Sequence, residues 1–341
     1  MSVLVLPAFA ASVLVFWLAL SLDRRRRWPA ELVLPVAASD LVSEEPDGVG
    51  VVALVPARDE AELLPRTLPW LLAQEGLTGV VLVDDGSTDA TTEVAHEVAR
   101  GLGVTPGAAV LEVIAAGPRP PGWTGKVHAQ AVGLARAGER WPDAEWLLLT
   151  DADIRLRPGA LAGLFVQASR GFDLVSIMAK LRTDAFWEKL LVPAFVYFFQ
   201  LLYPFRDVAR AGARTAAAAG GCVLVRRAAL EQAGSFEAIR TRLIDDVALA
   251  KAVAGAGGRP WLGLDPGIES VRPYPRLHDV WRMVARSAFV QLDYRWSLVV
   301  LVLVGLSLFF VSPPAVLVAG ATLAAVGGES ARLAGGAAVV V

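Results

Sequence analysis

Acidic residues gather at four places in this 341-residue chain, and their types and spacing could do chemistry. "PARDE" (56–60) holds Asp59 and Glu60, "VDDGSTD" (83–89) holds Asp84, Asp85 and Asp89, "DAD" holds Asp151 and Asp153, and "LIDD" holds Asp245 and Asp246. A carboxylate can accept hydrogen bonds from a base or ribose, hold a hard cation, or take a proton. Asp151 and Asp153 are two residues apart, so on an extended segment they face the same way. Two carboxylates with two phosphates make an octahedral oxygen site suited to magnesium or manganese. A "DAD" in isolation is more often a turn or a helix cap. Acids at the start of a helix, as at Asp245 and Asp246, are favoured by the helix dipole whatever else they do.

The elements that carry these residues give them meaning. "GVGVVALVPA" begins with a short valine-rich apolar run, the pattern of a strand buried on both faces. Residues 60–74 have helical spacing, with Leu63, Leu64, Leu68, Leu71 and Leu72 on one side. "GVVLVDD" predicts a second strand and 89–100 a second helix, which Asp89, Ser87 or Thr88 can cap. "AAVLEVIAA" predicts a third strand, "GKVHAQAVGLARAG" a helix, and "AEWLLLTDAD" a strand ending in acids. Four alternations of strand and helix predict an α/β fold, a mostly parallel sheet with helices on both faces. Ligands of such sheets bind at the carboxyl ends of the strands. "PARDE", "DDGSTD" and "DAD" each follow a predicted strand there, and the ordered set is far more specific than any one of them.

Beyond these lie a predicted strand in "FDLVSIMAKL", a small-residue turn entering a strand in "TAAAAGGCVLVRRAAL", and a helix opened by acids in "TRLIDDVALAKAVAGAG". "FWEKLLVPAFVYFFQLLYPF" is dense in aromatic residues, and its uncharged part is too short to cross a bilayer comfortably. It reads as an interfacial helix interrupted by Pro193, with a core helix as the alternative. "PRLHDVWRMVARSAFVQL" is a second interfacial candidate.

Hydrophobic residues make up 55% of the chain and mean hydropathy is +0.51. The excess is concentrated in residues 2–22 and 297–326, which carry no charge. Each run reaches the roughly 20 residues a bilayer span needs. Arg24–Arg27 follow the first run, whereas a cleaved signal places its charge before the apolar core. The expectation is an uncleaved anchor with its arginines on the cytoplasmic side of the plasma membrane. Net charge is −2, so no nucleic-acid partner is expected. The single cysteine, Cys222, excludes an intrachain disulfide, and with His96, His128 and His278 it makes no zinc site. There is no P-loop, no G-x-G-x-x-G after the first strand and no G-x-S-x-G elbow.

On "PARDE", "VDDGSTD", "DAD" and "LIDD", residues 48–295 resemble the inverting nucleotide-sugar glycosyltransferases of family two, which have the GT-A fold. "GWTGK", "AAAAGGCVLVRR", "LIDDVALA" and "RPYPRLHDVWRMVARSAFVQL" together look like the hopene-associated members, membrane enzymes of hopanoid lipid synthesis. The resemblance implies a nucleotide-sugar donor, a UDP-sugar first, a lipid acceptor at the bilayer, and a divalent magnesium or manganese ion. Pro56, Ala57, Arg58, Glu60, Asp84, Asp85, Lys126 and Asp151 would hold the nucleotide sugar, Asp85 being favoured over Asp84 for the base or ribose. Asp151 and Asp153 would hold the metal. Gly220, Gly221, Cys222, Arg282 and Arg286 would shape the acceptor side. Asp246 would be the catalytic base, with Asp245 where the family often has glutamate.

The implied organisation is a transmembrane anchor over 1–22, a basic juxtamembrane segment and linker over 23–48, and a GT-A domain over 49–295. Interfacial helices fall near 186–205 and 278–292, and a C-terminal transmembrane region covers 296–341. Many relatives carry Q-x-x-R-W after the base, whereas "RMVARSA" and "QLDYRW" do not match it. That departure, with the short membrane region, favours a single transfer over a processive polysaccharide synthase. Pro313 and Pro314 leave one kinked span or two short ones open. A silent scaffold that only binds nucleotide sugar is disfavoured by the retention of Asp85, Asp151, Asp153 and Asp246 together.

Overall fold

The strand β1 (Gly50–Ala57) runs through the middle of the protein, with Val51–Val55 almost wholly buried. The computed structural model describes residues 50–102, 109–210, 212, 215–292 and 294–315, and a few between 13 and 34 and at 318 and 322. After β1 come α1 (Leu64–Leu72), β2 (Leu77–Asp84), α2 (Thr91–Leu102), β3 (Val110–Ala115), α3 (Gly125–Arg140) and β4 (Ala144–Thr150). They are followed by β5 (Ile154–Leu156), α4 (Ala160–Ala168), β6 (Leu174–Lys180), α5 (Phe186–Leu202), the short α6 (Phe205–Val208), β7 (Cys222–Arg226) and α7 (Arg227–Gln232). The last elements are α8 (Asp245–Gly255), β8 (Pro260–Ser270), α9 (Leu277–Gln291) and α10 (Trp296–Leu306).

The eight strands form one sheet in the order β3-β2-β1-β4-β7-β6-β8-β5. β1 pairs in parallel with β2 and β4, β2 with β3, and β6 with β8. β7 runs antiparallel to β4 and β6, and β5 antiparallel to β8, so the sheet is mixed but mostly parallel. Alternation along β1 divides the core. Val51, Ala53 and Val55 pack with Leu64 and Leu68 of α1, while Val52 and Leu54 pack with Val127 and Ala129 of α3. Helices therefore cover both faces, as the continuous apolar strands require.

The strand β8 escapes sequence reading because Pro260, Gly263, Pro266 and Gly267 break its apolar pattern. It forms because it lies beside β6, which supplies a parallel ladder from Leu174 to Lys180. Val33 and Leu34, within the stretch read as juxtamembrane linker, also meet β8. Leu34 is buried and its N–H donates to Leu264 O at 2.8 Å. The remainder of that linker, and most of the proposed 1–22 anchor, lie outside the described residues.

α5 runs through Pro193 instead of stopping there. The proline removes one N–H from the ladder, but the flanking turns hold. Phe195, Val196 and Phe199 pack on a cluster containing Met178, Phe205, Val208 and Leu262, while Phe186, Leu190 and Leu202 remain exposed. The chain divides into two units, Pro29–Val284 and a second made of Met1–Trp28 with Ala285–Val341. In the second, Trp296–Ala315 is a continuous apolar helix of 20 residues, long enough to cross a membrane, with none of its most apolar stretch buried. Phe16 stacks against Phe309 at 4.6 Å, and Trp17 Nε1 donates to Phe309 O at 3.0 Å.

Candidate active site

The carboxyl ends of β1, β2 and β4 do bring the acid-rich loops together. The first two are stitched to each other. Asp59 Oδ1 accepts from Thr88 N at 2.7 Å and from Thr88 Oγ1 at 3.0 Å, and Asp59 N donates to Ser87 Oγ at 3.0 Å. Glu60 N donates to Thr91 Oγ1 and Ala61 N to Asp89 Oδ2. These bonds hold Asp59 at φ 56°, a left-handed conformation that costs a non-glycine residue energy. Gly86, at φ 76°, makes the turn between Asp85 and Ser87 without that cost.

The acids of "DDGSTD" therefore divide their work. Asp84 Oδ1 accepts from Ser87 N at 2.9 Å and from Ser87 Oγ, and so shapes the loop. Asp89 accepts from Thr91 N at the start of α2, the capping expected of it. Asp85 is left facing the start of α3, with Arg58 Nη1 4.0 Å from its Oδ2. A Cβ on Gly125 would collide with Asp85 Oδ2, so only glycine lets that carboxylate lie against the helix start. The sequence reading prefers Asp85 to Asp84 for the base or ribose, and that role is part of the proposed function. Pro56 and Ala57 sit inside the β1–β2 ladder, and Ala57 is buried, so its role is to supply a carbonyl to Asp85 N at 2.9 Å.

A second cluster forms where α3, β4, the turn before β7 and α8 meet. Lys126 Nζ lies 2.7 Å from Asp151 Oδ1 and 3.3 Å from Asp245 Oδ2. Asp246 Oδ2 accepts from Gly220 N at 2.6 Å, and its Oδ1 from Val247 N at 2.7 Å. A Cβ on Gly220 would lie 3.0 Å from Lys126 Nζ and 3.2 Å from Asp246 Oδ2. That glycine is what allows the backbone, the Lys126 ammonium and the Asp246 carboxylate to meet. Ser176 Oγ steadies the turn by bonding Ala219 N and O.

Electrostatics follow from the crowding. Burial, then the neighbouring Asp245, push the Asp246 carboxyl up to about 7, against the opposing pull of Lys126 and two backbone N–H groups. Burial also raises Asp151, with Asp153 and Asp245 adding to it and Lys126 opposing. Burial alone would lower the Lys126 ammonium, but Asp151, Asp245 and Asp246 outweigh it and hold its pKa above the ordinary lysine value.

Asp153 is turned away from Lys126. Its Oδ2 accepts from Ser270 Oγ at 2.7 Å and from Arg272 Nε at 3.2 Å. Arg272 also pairs with Glu60, so one guanidinium joins the loop after β1 to the "DAD" turn. Burial raises the Glu60 carboxyl against that arginine's pull, and its Oε2 is buried with no hydrogen-bond partner among the described residues. Ser270 and Arg272 were missed in the sequence. The available signal was charge: five clustered carboxylates (Glu60, Asp151, Asp153, Asp245, Asp246) require more than one lysine to offset them.

The remaining acceptor-side assignments are Gly221, Cys222, Arg282 and Arg286. Cys222 is a β7 strand residue with no exposed surface, and burial pushes its thiol up to about 12. It points into the core because strand alternation sends it there. Arg282 and Arg286 are exposed on α9 and make no ion pair among the described residues. Gly221 meets Ile154 at the sheet edge, and its carbonyl accepts from Thr150 Oγ1 at 3.0 Å.

The donor set fits a divalent cation. It is all carboxylate oxygen, carries surplus negative charge, and presents Asp151 with about a third of its side chain exposed (35%). Among the described residues no three acidic, histidine or cysteine groups converge as a preformed cage. Diphosphate oxygens and water would complete the shell.

The mixed, mostly parallel α/β sheet with helices on both faces is GT-A-like. The chain belongs to glycosyl transferase family 2, whose model matches residues 52–234, more than half of the protein. It is thus a nucleotide-sugar-dependent glycosyltransferase. The fold is similar to that of the mannosyltransferase PcManGT from Pyrobaculum calidifontis, solved in complex with GDP-Man and Mn2+. That match has a TM-score of 0.55 and 22% identity, over 98% of this chain and 89% of that one. A part of TarS from S. aureus in complex with UDP matches with a TM-score of 0.43 and 16% identity, over 70% of this chain and 64% of that one. No curated protein matches the chain.

Proposed function

We propose that this glycosyltransferase works at a bilayer and makes a single inverting transfer from a nucleotide sugar to a lipid hydroxyl. The observation that carries the chemistry is Asp246. Its carboxyl has a proton affinity near neutrality and is held by Gly220 N and Val247 N beside Lys126. In this reading Asp246 Oδ2 takes the acceptor proton as the acceptor oxygen attacks the anomeric carbon opposite the leaving diphosphate. One displacement inverts the configuration. Asp245 and Asp151 hold Lys126 in place, and its ammonium meets the negative charge that develops on the diphosphate. Asp85 and Arg58 bind the nucleoside end. Asp151, with Asp153 behind it, would hold magnesium or manganese, which would add Lewis-acid stabilisation of the leaving group.

Three features support a lipid acceptor: the exposed apolar helix Trp296–Ala315, the aromatic contacts between residues 16–17 and 309–310, and the outward apolar side chains of α5. The motif resemblance extends this to a hopanoid or related lipid, with a UDP-sugar as donor and the catalytic domain on the cytoplasmic side. The organisation we propose keeps residues 49–295 as the catalytic domain between an N-terminal anchor and a C-terminal membrane region.

The test uses detergent-purified protein with manganese or magnesium, a panel of nucleotide sugars and a bacterial lipid extract, and reads nucleoside diphosphate release. Release should depend on lipid and metal, and Asp246→Asn should lower it roughly 10²–10⁴-fold, the usual contribution of a general base. Donor binding without lipid-dependent turnover would reject the lipid acceptor. Full turnover in Asp246→Asn would reject the base.

A further inference from the structure

A second polar cleft, of about 190 Å³, opens between the start of α1, the ends of β5 and β6, and the end of β8. Its charged lining is Arg66, Arg155, Lys180, Arg182, Asp184 and Glu269. Arg155 pairs with Glu269 across the β5–β8 ladder, and Arg182 Nη2 lies 2.6 Å from Asp184 Oδ2. Those two pairs cancel. Arg66 and Lys180 make no ion pair among the described residues, so the cleft keeps two uncompensated cations in a protein whose net charge is −2. The charge is suited to a phosphate monoester, which carries about −1.5 to −2 near neutral pH. The cleft volume is several times the roughly 30 Å³ share of one water, which leaves room for a phosphoryl group.

The surroundings select the source of that phosphate. Asp184 is two residues before Phe186, the first residue of α5, and Phe186 is 69% exposed. Leu190, one turn on, is 54% exposed. Basic groups beside an outward apolar helix suit a molecule with an anionic head and a hydrocarbon body. The inner wall of the cleft includes Ser270, whose hydroxyl donates to Asp153 Oδ2. The cleft is thus one side chain away from the "DAD" turn, while Lys126 and Asp246 form a separate cluster.

We propose that this cleft binds the phosphate-bearing headgroup of a membrane lipid, with Arg66 and Lys180 as its principal contacts. The proposal rests on the reading that the enzyme works at a bilayer. A headgroup held there would seat the catalytic unit on an anionic surface, with α5 turned toward the hydrocarbon.

The test is calorimetric titration of the full chain in detergent micelles with dioctanoyl phosphatidic acid, dioctanoylglycerol and inorganic phosphate. Wild type is compared with the double variants Arg66→Gln/Lys180→Gln and Arg66→Lys/Lys180→Arg. Phosphatidic acid should bind, dioctanoylglycerol should not, and the glutamine variant should bind about tenfold more weakly. The charge-retaining variant should bind within about twofold of wild type. Unchanged melting and nucleoside diphosphate binding would show that the glutamine variant is folded. Equal phosphatidic acid affinity in wild type and glutamine variant would overturn the site. Binding of dioctanoylglycerol as tight as phosphatidic acid would overturn a headgroup contact. Inorganic phosphate binding as tightly as the lipid would replace the lipid by a soluble anion. Lipid-dependent turnover is read separately in the same preparation. Its absence alongside phosphatidic acid binding rejects the acceptor assignment and leaves the cleft standing, and the opposite result rejects the cleft alone.

Discussion

Asp246 combines two demands that conflict in an isolated side chain. As the proposed base it must be basic enough to take a proton, yet an ordinary aspartate is a weak base near neutrality. Burial and Asp245 bring its pKa to about 7. Turnover should therefore fall about tenfold per pH unit below about 7, because the protonated carboxyl cannot accept the proton. A kcat/KM profile flat down to pH 5 would contradict the assignment. The same shift has a stability consequence of definite sign. The folded state holds this proton more tightly than the unfolded chain, so the group's contribution to stability falls as pH rises from about 4 to about 7. Gly220 makes a separate prediction. Gly220→Ala would press a methyl group on Lys126 Nζ and Asp246 Oδ2, both at side-chain ends that can give way. Stability should change by less than about 1 kcal/mol while kcat falls at least about tenfold, since the base and ammonium are displaced together. Parallel melting and rate measurements separate the two effects.

Among the elements, α5 and the segment after β8 are joined through one buried carboxylate. Glu188 accepts from the N–H groups of Asp184 and Ala185, each at 2.9 Å, and from Tyr274 N at 2.6 Å. Burial alone would raise its pKa, but these three donors outweigh it and hold it below the ordinary range. The ionised form is therefore the bonded one, and its stabilisation is lost as pH falls through the lowered folded-state value. Glu188→Gln keeps the shape but exchanges one acceptor oxygen for a donor that faces backbone N–H groups. It should destabilise the protein by about 1–3 kcal/mol at pH 7, read by denaturant unfolding. An unchanged midpoint would show that water replaces those bonds without cost. The element also shows the limit of pattern reading. Its aromatic density and Pro193 suggested an interrupted surface helix, and it is a continuous one, half packed on the core and half outward.

For the whole molecule, the apolar helix Trp296–Ala315 is the part that pattern reading reports best, because length and the lack of charge are sufficient to define it. Val304, near its middle, is 49% exposed. Val304→Arg should reduce the share of protein retained on membranes after carbonate washing, since a central arginine costs about 2.5–3.5 kcal/mol of insertion free energy. Retention equal to wild type would mean that this helix does not hold the protein in the bilayer.

The sequence by itself determined the α/β class, the buried parallel strands, the loops that carry Asp85 and Asp151, and the helix opened by Asp245 and Asp246, because hydrophobic period and strand-end position are local properties of the chain. Its choice of Lys126 for the nucleotide sugar and its preference for Asp85 over Asp84 rest on the motif resemblance. Only the tertiary structure decided how those loops combine. β8 forms against β6 despite its prolines and glycines, and delivers Ser270 and Arg272 to Asp153 over more than a hundred residues of chain. Cys222, adjacent in sequence to the glycine turn, goes to the core because one step along a strand reverses the side chain. Arg66 and Lys180, unremarkable in the sequence, share a cleft because the start of α1 and the end of β6 lie side by side. Periodicity carries information between neighbours in the chain, whereas charge pairing and cavity shape depend on residues that only folding makes neighbours.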